Sequence, residues 1–319
     1  MSGQFRHEPP IVITNCTARK RSREQVISSA EIKHAASVRD LAGQWVRLTR
    51  GRPTVAAAGE LYGGRSFRDA AVAAESCQGD LYVISAGFGL VSNTALLPNY
   101  ALTIADGEGS IAAMLAHFDA SAADWWAALC AELGSPGAVA RLLRRRQDAL
   151  VLLALPSTYL QMVGPELGDL TAQELRRLRV FTSLAGARQL ELRIADCVLP
   201  YDDRLNDVEG HAGTRTDFAQ RALRHFVEVL HGQELSLAEG RSAVLHALSR
   251  HQPPATKARV RATDDEICSA IRSFGESGSH GVSRLLRRLR DERNIACEQG
   301  RFRDLWRQVQ QECGPEEVP

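Results

Sequence analysis

Four apolar runs of this chain are each followed by a polar loop, and the side chains that could do chemistry lie in these loops. The loops begin at Asn15, Ser85, Pro156 and Pro200. They contain amides and carboxylates that can hold a water molecule, rings and hydroxyl groups that can bind a planar base, and arginines that can contact phosphate. Such a set suits the removal of a base from a nucleotide, because the sugar becomes cation-like while the base leaves as an anion.

The candidate residues divide by role. A nucleotide must leave the base stack before an enzyme can act on its base, so the site needs a stacking ring and polar contacts as well as a bound water. The candidates for positioning the water are Asn15 and Asp202. The candidates for binding the base are Phe88, Tyr100, Tyr159 and Ser85. The candidates for contacting DNA in this part of the chain are Arg19, Arg65, Ser157, Arg204 and Arg215.

Each of these assignments has a purely structural alternative, and the sequence leaves both open. Asn15 is also suited to capping a helix or a turn. Asp202 is close enough in sequence to Arg204 to pair with it locally. Phe88 and Tyr100 are apolar enough to belong to the core. The functional interpretation is favoured because the four polar loops are expected on the same edge of one sheet.

Three further features of this region are open in the same way. The glycine pair at 63–64 introduces a helix whose free backbone N–H groups favour an anion, or it forms an ordinary turn. Cys16 would need a neighbouring base to act as a nucleophile, and no histidine lies near it in sequence. The glycine-rich loop 208–215 either closes over the site, with His211 and Arg215 as ligand contacts, or only connects two parts of the chain.

The apolar runs are typical of buried strands, and they alternate with segments of helical spacing. The predicted strands are Ile11–Thr14, Leu81–Ser85, Ala149–Leu155 and Leu192–Val198. The predicted helices are Ser37–Arg47, Ser66–Ser76, Ile111–Leu133, Thr171–Leu178, Thr216–Leu230 and Leu237–His251. This alternation predicts an α/β fold with a mostly parallel sheet and helices on both faces. Ligands of such folds lie beyond the carboxyl ends of the strands, where the polar loops are expected.

Several motifs within residues 10–205 resemble a known group of bacterial domains. Besides the polar loop after the first strand, they are LYGGRSF at 61–67, LYVISAGFGLV at 81–91 and PNYALTI at 98–104. The motifs resemble families that are similar to peroxide-stress DNA-binding proteins and to the accessory domain of archaeosine tRNA-guanine transglycosylases. Those families are related in fold to uracil-DNA glycosylases.

The resemblance is closest to anti-phage DNA glycosylases that excise bulky modified bases such as glucosylated hydroxymethylcytosine. It implies a uracil-DNA-glycosylase-like fold and that activity. The LPSTY loop at 155–159 resembles the late-strand Pro-Ser loop of the superfamily, although Leu155 stands where a histidine is usual. The polar loop after the first strand corresponds to the superfamily's water-positioning segment, but the usual Gly-x-x-Pro pattern is absent.

The C-terminal part of the chain has the pattern of a small, basic, all-helical module. Residues 252–262 contain two prolines and several basic residues, which is typical of a linker. This divides the chain into an α/β domain at 1–251 and a nucleic-acid-binding module at 263–319. The helices predicted in the module are Thr263–Phe274, Val282–Glu292 and Glu298–Gln311.

The second of these helices is the candidate for contacting nucleic acid. A glycine-containing turn precedes it, and three short helices with such a turn are typical of a helix-turn-helix module. Its apolar stripe consists of Val282, Leu285, Leu286 and Leu289. The candidate DNA contacts on its other faces are Arg284, Arg287 and Arg288. The alternative is that these arginines only keep a helical bundle solvated.

Charge and composition exclude some classes of protein. The net charge of the chain is only +1, but residues 257–307 contain Lys257 and eleven arginines against eight acids. No apolar run approaches the roughly 18 residues of a membrane span, and the N-terminus lacks a signal core, so we expect a cytoplasmic protein. The seven cysteines form no CxxC pair, and no Walker A loop or dinucleotide fingerprint occurs. We therefore expect neither a metal nor a cofactor.

The leading hypothesis is a metal-independent DNA glycosylase that flips a modified base out of phage DNA and hydrolyses its N-glycosidic bond. The basic module would supply non-specific affinity for the DNA. One alternative is a non-catalytic DNA-binding stress protein of the same fold, which would bind without releasing a base. Another is a base-exchange or nucleoside-processing enzyme acting on tRNA or nucleosides, which a preference for RNA would favour.

Overall fold

This computed structural model describes residues 8–105, 109–254, 259–274 and 281–312. The chain divides into two compact units, Met1–Pro254 and Ala255–Pro319, and the predicted linker spans this division. Residues 255–258 of that linker and residues 275–280 of the predicted turn between two C-terminal helices lie outside the described residues.

The larger unit contains short strands interspersed with helices. The strands are β1 Ile11–Asn15, β2 Ile27–Ser28, β3 Ala56–Ala57, β4 Asp80–Ser85, β5 Gly89–Ser92, β6 Leu96–Leu97, β7 Tyr100–Ala101, β8 Val151–Ala154 and β9 Leu178–Phe181. The helices are α1 Val38–Thr49, α2 Ala58–Leu61, α3 Arg65–Ser76, α4 Ala112–His117, α5 Ala122–Glu132, α6 Ala138–Arg145, α7 Ser157–Gly168, α8 Ala172–Arg176, α9 Leu184–Ala187, α10 Leu192–Ala195, α11 Phe218–Glu228 and α12 Leu237–Leu248.

The central sheet has the strand order β5-β4-β1-β8-β9. Every neighbouring pair is parallel except β4 and β5, which form an antiparallel hairpin at one edge. β1 lies in the middle because its first four residues are apolar or small and are completely buried on both faces. The first three predicted strands and the mostly parallel sheet are thus confirmed.

Helices cover the sheet in two groups. α3 and α11 pack closely on each other, and they contact β1, β4, β8 and β9. The second group is formed by α1, α5 and α7, and it encloses the completely buried Trp45 and Trp125. The predicted helices that correspond to α1, α3, α8, α11 and α12 are confirmed within a few residues.

The prediction of a strand at Leu192–Val198 is wrong. Most of that segment forms the short helix α10, and the fourth parallel strand is β9, part of which the sequence pattern assigns to the end of a helix. The sequence pattern does not predict β9, because the strand has only four residues and one of them is Arg179. This arginine is buried, and its guanidinium donates to the carbonyl oxygen of Arg176 at 2.9 Å. Val198 still reaches the sheet through a parallel bridge to Val180.

The single helix predicted over residues 111–133 is divided in two. α4 ends at His117, and Asp119 has a left-handed backbone with φ of 51°, which a continuous helix cannot contain. Ser121 then caps α5, and it forms a capping box with Asp124. The short polar stretch between the helices therefore ends α4 and provides the N-cap of α5.

The described residues of the smaller unit form three helices and one short pair of strands. The elements are β10 Val260–Arg261, α13 Asp264–Ser273, α14 Val282–Glu292, β11 Ile295–Ala296 and α15 Gln299–Glu312. β10 and β11 pair in parallel, so the prediction of a purely helical module is corrected. Strands of two residues are too short for an alternating pattern to reveal them in the sequence.

The structure includes no long apolar helix of the kind that spans a bilayer, as far as residues are described.

Candidate functional site

The carboxyl ends of the parallel strands meet at one edge of the sheet. Asn15 ends β1 and lies in register with Ile84 of β4, and the backbone N–H of Cys16 donates to the carbonyl oxygen of Ile84 at 2.9 Å. Ser85 ends β4, and Ser157 begins α7 shortly after β8. Three of the four polar loops predicted from the sequence therefore begin at the same edge.

The turn between β4 and β5 packs tightly against aromatic rings. Ser85 pairs with Gly89, whose φ of +67° lies in the left-handed region that favours glycine. A Cβ atom at Gly87 would lie 3.0 Å from the ring of Tyr100 and 3.1 Å from that of Trp45. The glycines of the SAGFG segment are therefore required by backbone geometry and by the close approach of these rings.

Buried hydroxyl groups form a chain below this turn. The hydroxyl of Tyr100 lies 2.7 Å from Ser85 Oγ and 2.7 Å from the hydroxyl of Tyr62. Ser85 Oγ also accepts hydrogen bonds from the backbone N–H groups of Gly87 (3.2 Å) and Phe88 (3.0 Å). Because these two bonds occupy both acceptor positions of the serine oxygen, Ser85 donates its proton to Tyr100, and Tyr100 shares a further hydrogen bond with Tyr62.

A thiol and a third tyrosine lie beside this chain. Cys16 Sγ is 3.1 Å from the hydroxyl of Tyr159 and accepts the backbone N–H of Ala86 at 3.4 Å. Burial raises the pKa of Tyr62, Tyr100 and Tyr159 above the ordinary value for tyrosine. All three are therefore neutral hydroxyl groups at physiological pH, and they offer donors rather than negative charge.

Lys20 brings a positive charge to the hydroxyl chain. Its Nζ lies 4.2 Å from the ring centroid of Tyr100 and 5.3 Å from that of Tyr62, and it donates to the carbonyl oxygen of Thr17 at 2.6 Å. Burial lowers the pKa of Lys20, while the nearby Cys16 raises it to a smaller extent. An ammonium that has lost part of its hydration attracts an approaching anion more strongly than one in bulk water.

Gln220 of α11 holds the side chain of Asn15. Gln220 Nε2 lies 2.8 Å from Asn15 Oδ1, 3.0 Å from the carbonyl oxygen of Ala154 and 3.2 Å from Thr14 Oγ1. Asn15 in turn donates through Nδ2 to the carbonyl oxygen of Cys16 at 2.8 Å. These contacts orient both amides, and Asn15 Oδ1 retains a second lone pair that can accept a hydrogen bond from a water molecule.

The cluster has a buried part, called its floor, and a partly buried part, called its rim. Ser85, Tyr100 and Tyr159 are 0%, 1% and 5% exposed, so their polar atoms contact other groups of the protein rather than solvent. The rim is formed by the partly buried residues Asn15, Lys20 and Phe88. Among the three aromatic residues predicted to bind a base, Phe88 has the most exposed surface, and its ring packs at 4.9 Å, edge to face, on Tyr100.

Asp202 and Arg204 pair with each other. The carboxylate of Asp202 accepts from Arg204 Nε at 2.9 Å and from Nη2 at 2.8 Å. Burial raises the pKa of Asp202, but its hydrogen bonds with Arg204 outweigh this effect and leave the pKa below its usual range. Within the described residues, no hydrogen bond or ion pair joins this pair to Asn15. The local pairing that the sequence leaves open is therefore observed.

The other predicted contacts lie in different surroundings. Arg19 and Arg215 are exposed. Arg65 is partly buried and lies 3.5 Å from the buried carboxylate of Asp69. Ser157 is partly buried at the first turn of α7. Both exposed arginines are free to reach a phosphate group, whereas Arg65 helps to neutralise a buried acid.

The loop 208–215 leads into α11 beside two buried histidines. The ring of His211 lies 5.1 Å from that of His225, and the hydroxyl of Tyr201 is 2.8 Å from His225 Nδ1. Burial, together with smaller effects of His211 and His251, lowers the pKa of His225 to about 4. His225 is therefore neutral at physiological pH, and the buried His211 packs against it.

Replacing His225 with glutamine is expected to reduce the loss of stability in acid. An unfolded histidine binds its proton near pH 6.5 and folded His225 only near pH 4, so the unfolded state binds more protons between these values. The neutral form of His225 therefore contributes to the free energy of unfolding above pH 6.5. This contribution is lost as the pH falls toward 4, and the loss amounts to at most about 3 kcal/mol. Urea unfolding at neutral pH and at several acidic pH values measures it.

The exposed His246 provides the matched control for this measurement. His246→Gln should retain the wild-type pH dependence, while His225→Gln should show a flatter one. An equally steep acid loss in His225→Gln and in the wild type would show that His225 does not govern it.

Sequence reasoning missed Lys20, Tyr62 and Gln220 as members of the site. Lys20 and Tyr62 lie in segments that the sequence analysis singled out. A feature of the sequence could also have indicated Gln220. It is a polar residue on the apolar face of an amphipathic helix, next to the buried Ala219 and in line with Leu223. A buried amide must find hydrogen-bond partners, so such a position indicates a contact with polar groups of another element.

In the smaller unit, the arginines of α14 lie on both sides of its apolar stripe. The predicted stripe is confirmed by the buried side chains Leu285, Leu286 and Leu289. Arg288 pairs with Glu292 at 2.8 Å, and its guanidinium lies 4.5 Å from the ring centroid of Phe274. Arg284 and Arg287 are exposed, and their guanidinium groups have no hydrogen-bond or ion-pair partner among the described residues.

No protein-family model, curated protein or solved structure matches this chain.

Proposed function

We propose that this chain is a DNA glycosylase that hydrolyses the N-glycosidic bond of a modified base. The observation that supports this most is the rim of Asn15, Lys20 and Phe88 at the carboxyl edge of the parallel sheet, above a floor of neutral hydroxyl groups. An oriented amide, a poorly hydrated cation and an aromatic surface are the groups that base removal needs.

Each rim residue has one role in the proposed reaction. The flipped base stacks against Phe88, and Asn15 Oδ1 accepts a hydrogen bond from a water molecule near the sugar. The water oxygen bonds to C1′ while the C1′–N bond breaks, and the electron pair of that bond leaves with the base. Lys20 stabilises the resulting negative charge. A proton from the water passes to the departing base or to solvent, and the products are the free base and an abasic sugar.

A uracil-DNA-glycosylase-like fold for residues 10–205 is part of this proposal. It is supported by the resemblance of the 61–67, 81–91 and 98–104 motifs and by the parallel sheet with its polar carboxyl edge. The same resemblance favours a bulky modified base, such as glucosylated hydroxymethylcytosine in phage DNA, and a role in antiviral defence. The three-helix smaller unit, as a helix-turn-helix-like module, would add affinity for the DNA backbone.

Release of abasic sites tests the proposed activity directly. We expect strand breaks when the purified chain is incubated with duplexes carrying modified cytosines and the products are then treated with an abasic-site lyase. Duplexes containing cytosine, uracil, hydroxymethylcytosine and glucosylated hydroxymethylcytosine identify the base. Absence of breaks on every duplex would overturn the proposal.

The closed floor of the site favours a second candidate, a DNA-binding stress protein without catalysis. The hydroxyl groups of Ser85, Tyr62 and Tyr100 bind one another and are almost completely buried, as expected for a polar core that only stabilises the fold. This candidate predicts a gel shift on the same duplexes without strand breaks. It also predicts that substitution of Asn15 leaves every function unchanged.

A further inference from the structure

We infer that the smaller unit binds the phosphate backbone of duplex DNA in an arginine-lined groove on one flank of α14. This inference deepens the proposed function, because it names the surface by which that unit would hold the DNA. The groove lies between α14, the β10–β11 pair and the start of α15, all within one compact unit.

The groove consists of two adjoining cavities. The larger has a volume of about 700 Å³, and the smaller has a volume of about 280 Å³. Arg259 and Arg290 line both cavities, so the two form one continuous surface. The other arginines of the groove are Arg261, Arg287 and Arg301. Facing these five arginines, the lining contains only two acids, Asp291 and Glu298.

Three of the five groove arginines, Arg261, Arg287 and Arg290, form no ion pair among the described residues. Arg290 donates from Nη2 to the carbonyl oxygen of Cys297 at 2.7 Å, and a neutral carbonyl leaves its charge intact. The guanidinium groups of the exposed Arg261 and Arg287 have no hydrogen-bond or ion-pair partner among the described residues. Glu298 keeps its negative charge, and its carboxylate accepts the backbone N–H groups of Gly300 and Arg301, so the lining remains positive because it contains five arginines and two acids.

The other two arginines of the groove form ion pairs, so they contribute to its shape more than to its net charge. Arg259 pairs with Asp291 at 3.2 Å, and Arg301 pairs with Asp264 at 2.6 Å. Arg259 also donates to the backbone of α14 through the carbonyl oxygen of Arg290 at 3.1 Å. These contacts attach the β10 segment to α14 and keep the groove in shape.

The opposite flank of α14 offers a weaker surface for an anion. Positions 283, 287 and 290 lie on the groove side of the buried stripe, whereas 284 and 288 lie on the other side, because successive residues of a helix are rotated by about 100°. Arg288 pairs with Glu292 and rests on Phe274, so Arg284 is the only arginine of α14 on that flank whose side chain forms no ion pair among the described residues. Phosphate contact requires clustered cations on a rigid element, which the groove flank provides.

Binding of an unmodified duplex tests the groove independently of catalysis. We expect the anisotropy of a labelled duplex of about 20 base pairs to report binding by the full chain, with a slope of log affinity against log salt that reflects the phosphate contacts. Arg261→Gln and Arg287→Gln should each lower this slope by about 1, which corresponds to a five- to tenfold loss of affinity at about 0.1 M salt.

Arg284, a DNA contact in the prediction from sequence, does not line the groove and is not part of the proposed surface. Arg284→Gln is therefore the matched control, because it removes the same charge from the other flank of the same helix. It should bind like the wild type, and Arg261→Lys, which retains the charge, should keep the wild-type slope. An effect of Arg284→Gln as large as that of Arg261→Gln would overturn the proposal. An unchanged slope in both groove variants, or no binding by the full chain, would overturn it as well. Because the duplex contains no modified base and the assay measures binding alone, its result does not depend on whether the chain has glycosylase activity.

Discussion

Replacing Asn15 with alanine is expected to slow base release by about 10²- to 10⁴-fold, while DNA binding remains within a factor of two or so of the wild type. Asn15 ends β1 at the rim, and Gln220 fixes its amide with an acceptor position left for water. Alanine at this position leaves the water unheld, but it removes no positive charge that could contact phosphate. Single-turnover release from the best modified duplex, with anisotropy on the same duplex, measures both quantities.

Asp203→Ala is the control for this variant, because Asp203 is an exposed acid with no side-chain hydrogen bond among the described residues. Asp202→Ala adds a comparison of the two water-positioning candidates. Since Asp202 is held by Arg204, we expect Asp202→Ala to affect stability more than the rate of base release. A wild-type rate of base release in Asn15→Ala would refute the proposed role of Asn15. A large loss of that rate in Asp202→Ala would indicate that Asp202 positions the water.

Replacing Lys20 with methionine is expected to lower the rate of base release by about 10²- to 10³-fold. The ammonium of Lys20 lies 4.2 Å from the ring centroid of Tyr100 and is partly stripped of water, so it stabilises negative charge on the departing base. Methionine retains most of the length of the side chain but lacks the charge. Single-turnover kinetics on one modified duplex measures the effect.

Lys33 supplies the matched control for this charge removal, because it is exposed and remote in sequence from the hydroxyl chain. Lys33→Met should release the base at the wild-type rate. The loss caused by Lys20→Met should also shrink on a base that leaves more easily as an anion, because such a base needs less stabilisation. An equal loss on good and poor leaving bases would indicate that Lys20 stabilises the fold and not the transition state.

Patterns of local sequence predicted the parts of this fold that depend on near neighbours. The runs that became β1, β4 and β8 are mostly apolar and buried, as expected of strands covered on both faces. The placement of Asn15, Ser85 and Ser157 at one edge followed from the parallel arrangement alone. The apolar stripe of α14 was visible because its residues recur at helical spacing.

The sequence by itself thus determined the α/β class, the strands that carry the candidate site and the amphipathic helices. Only the tertiary structure decided which polar groups meet, because those contacts join residues far apart in the chain. Gln220 reaches Asn15 across 205 positions, and Tyr159 reaches Cys16 across 143. The tertiary structure also decided that Arg179 lies in a buried strand, and that the arginines of α14 lie on two different sides of that helix. The physical reason is that periodicity reports which face of an element is buried, whereas the partner on that face is set by packing between distant segments.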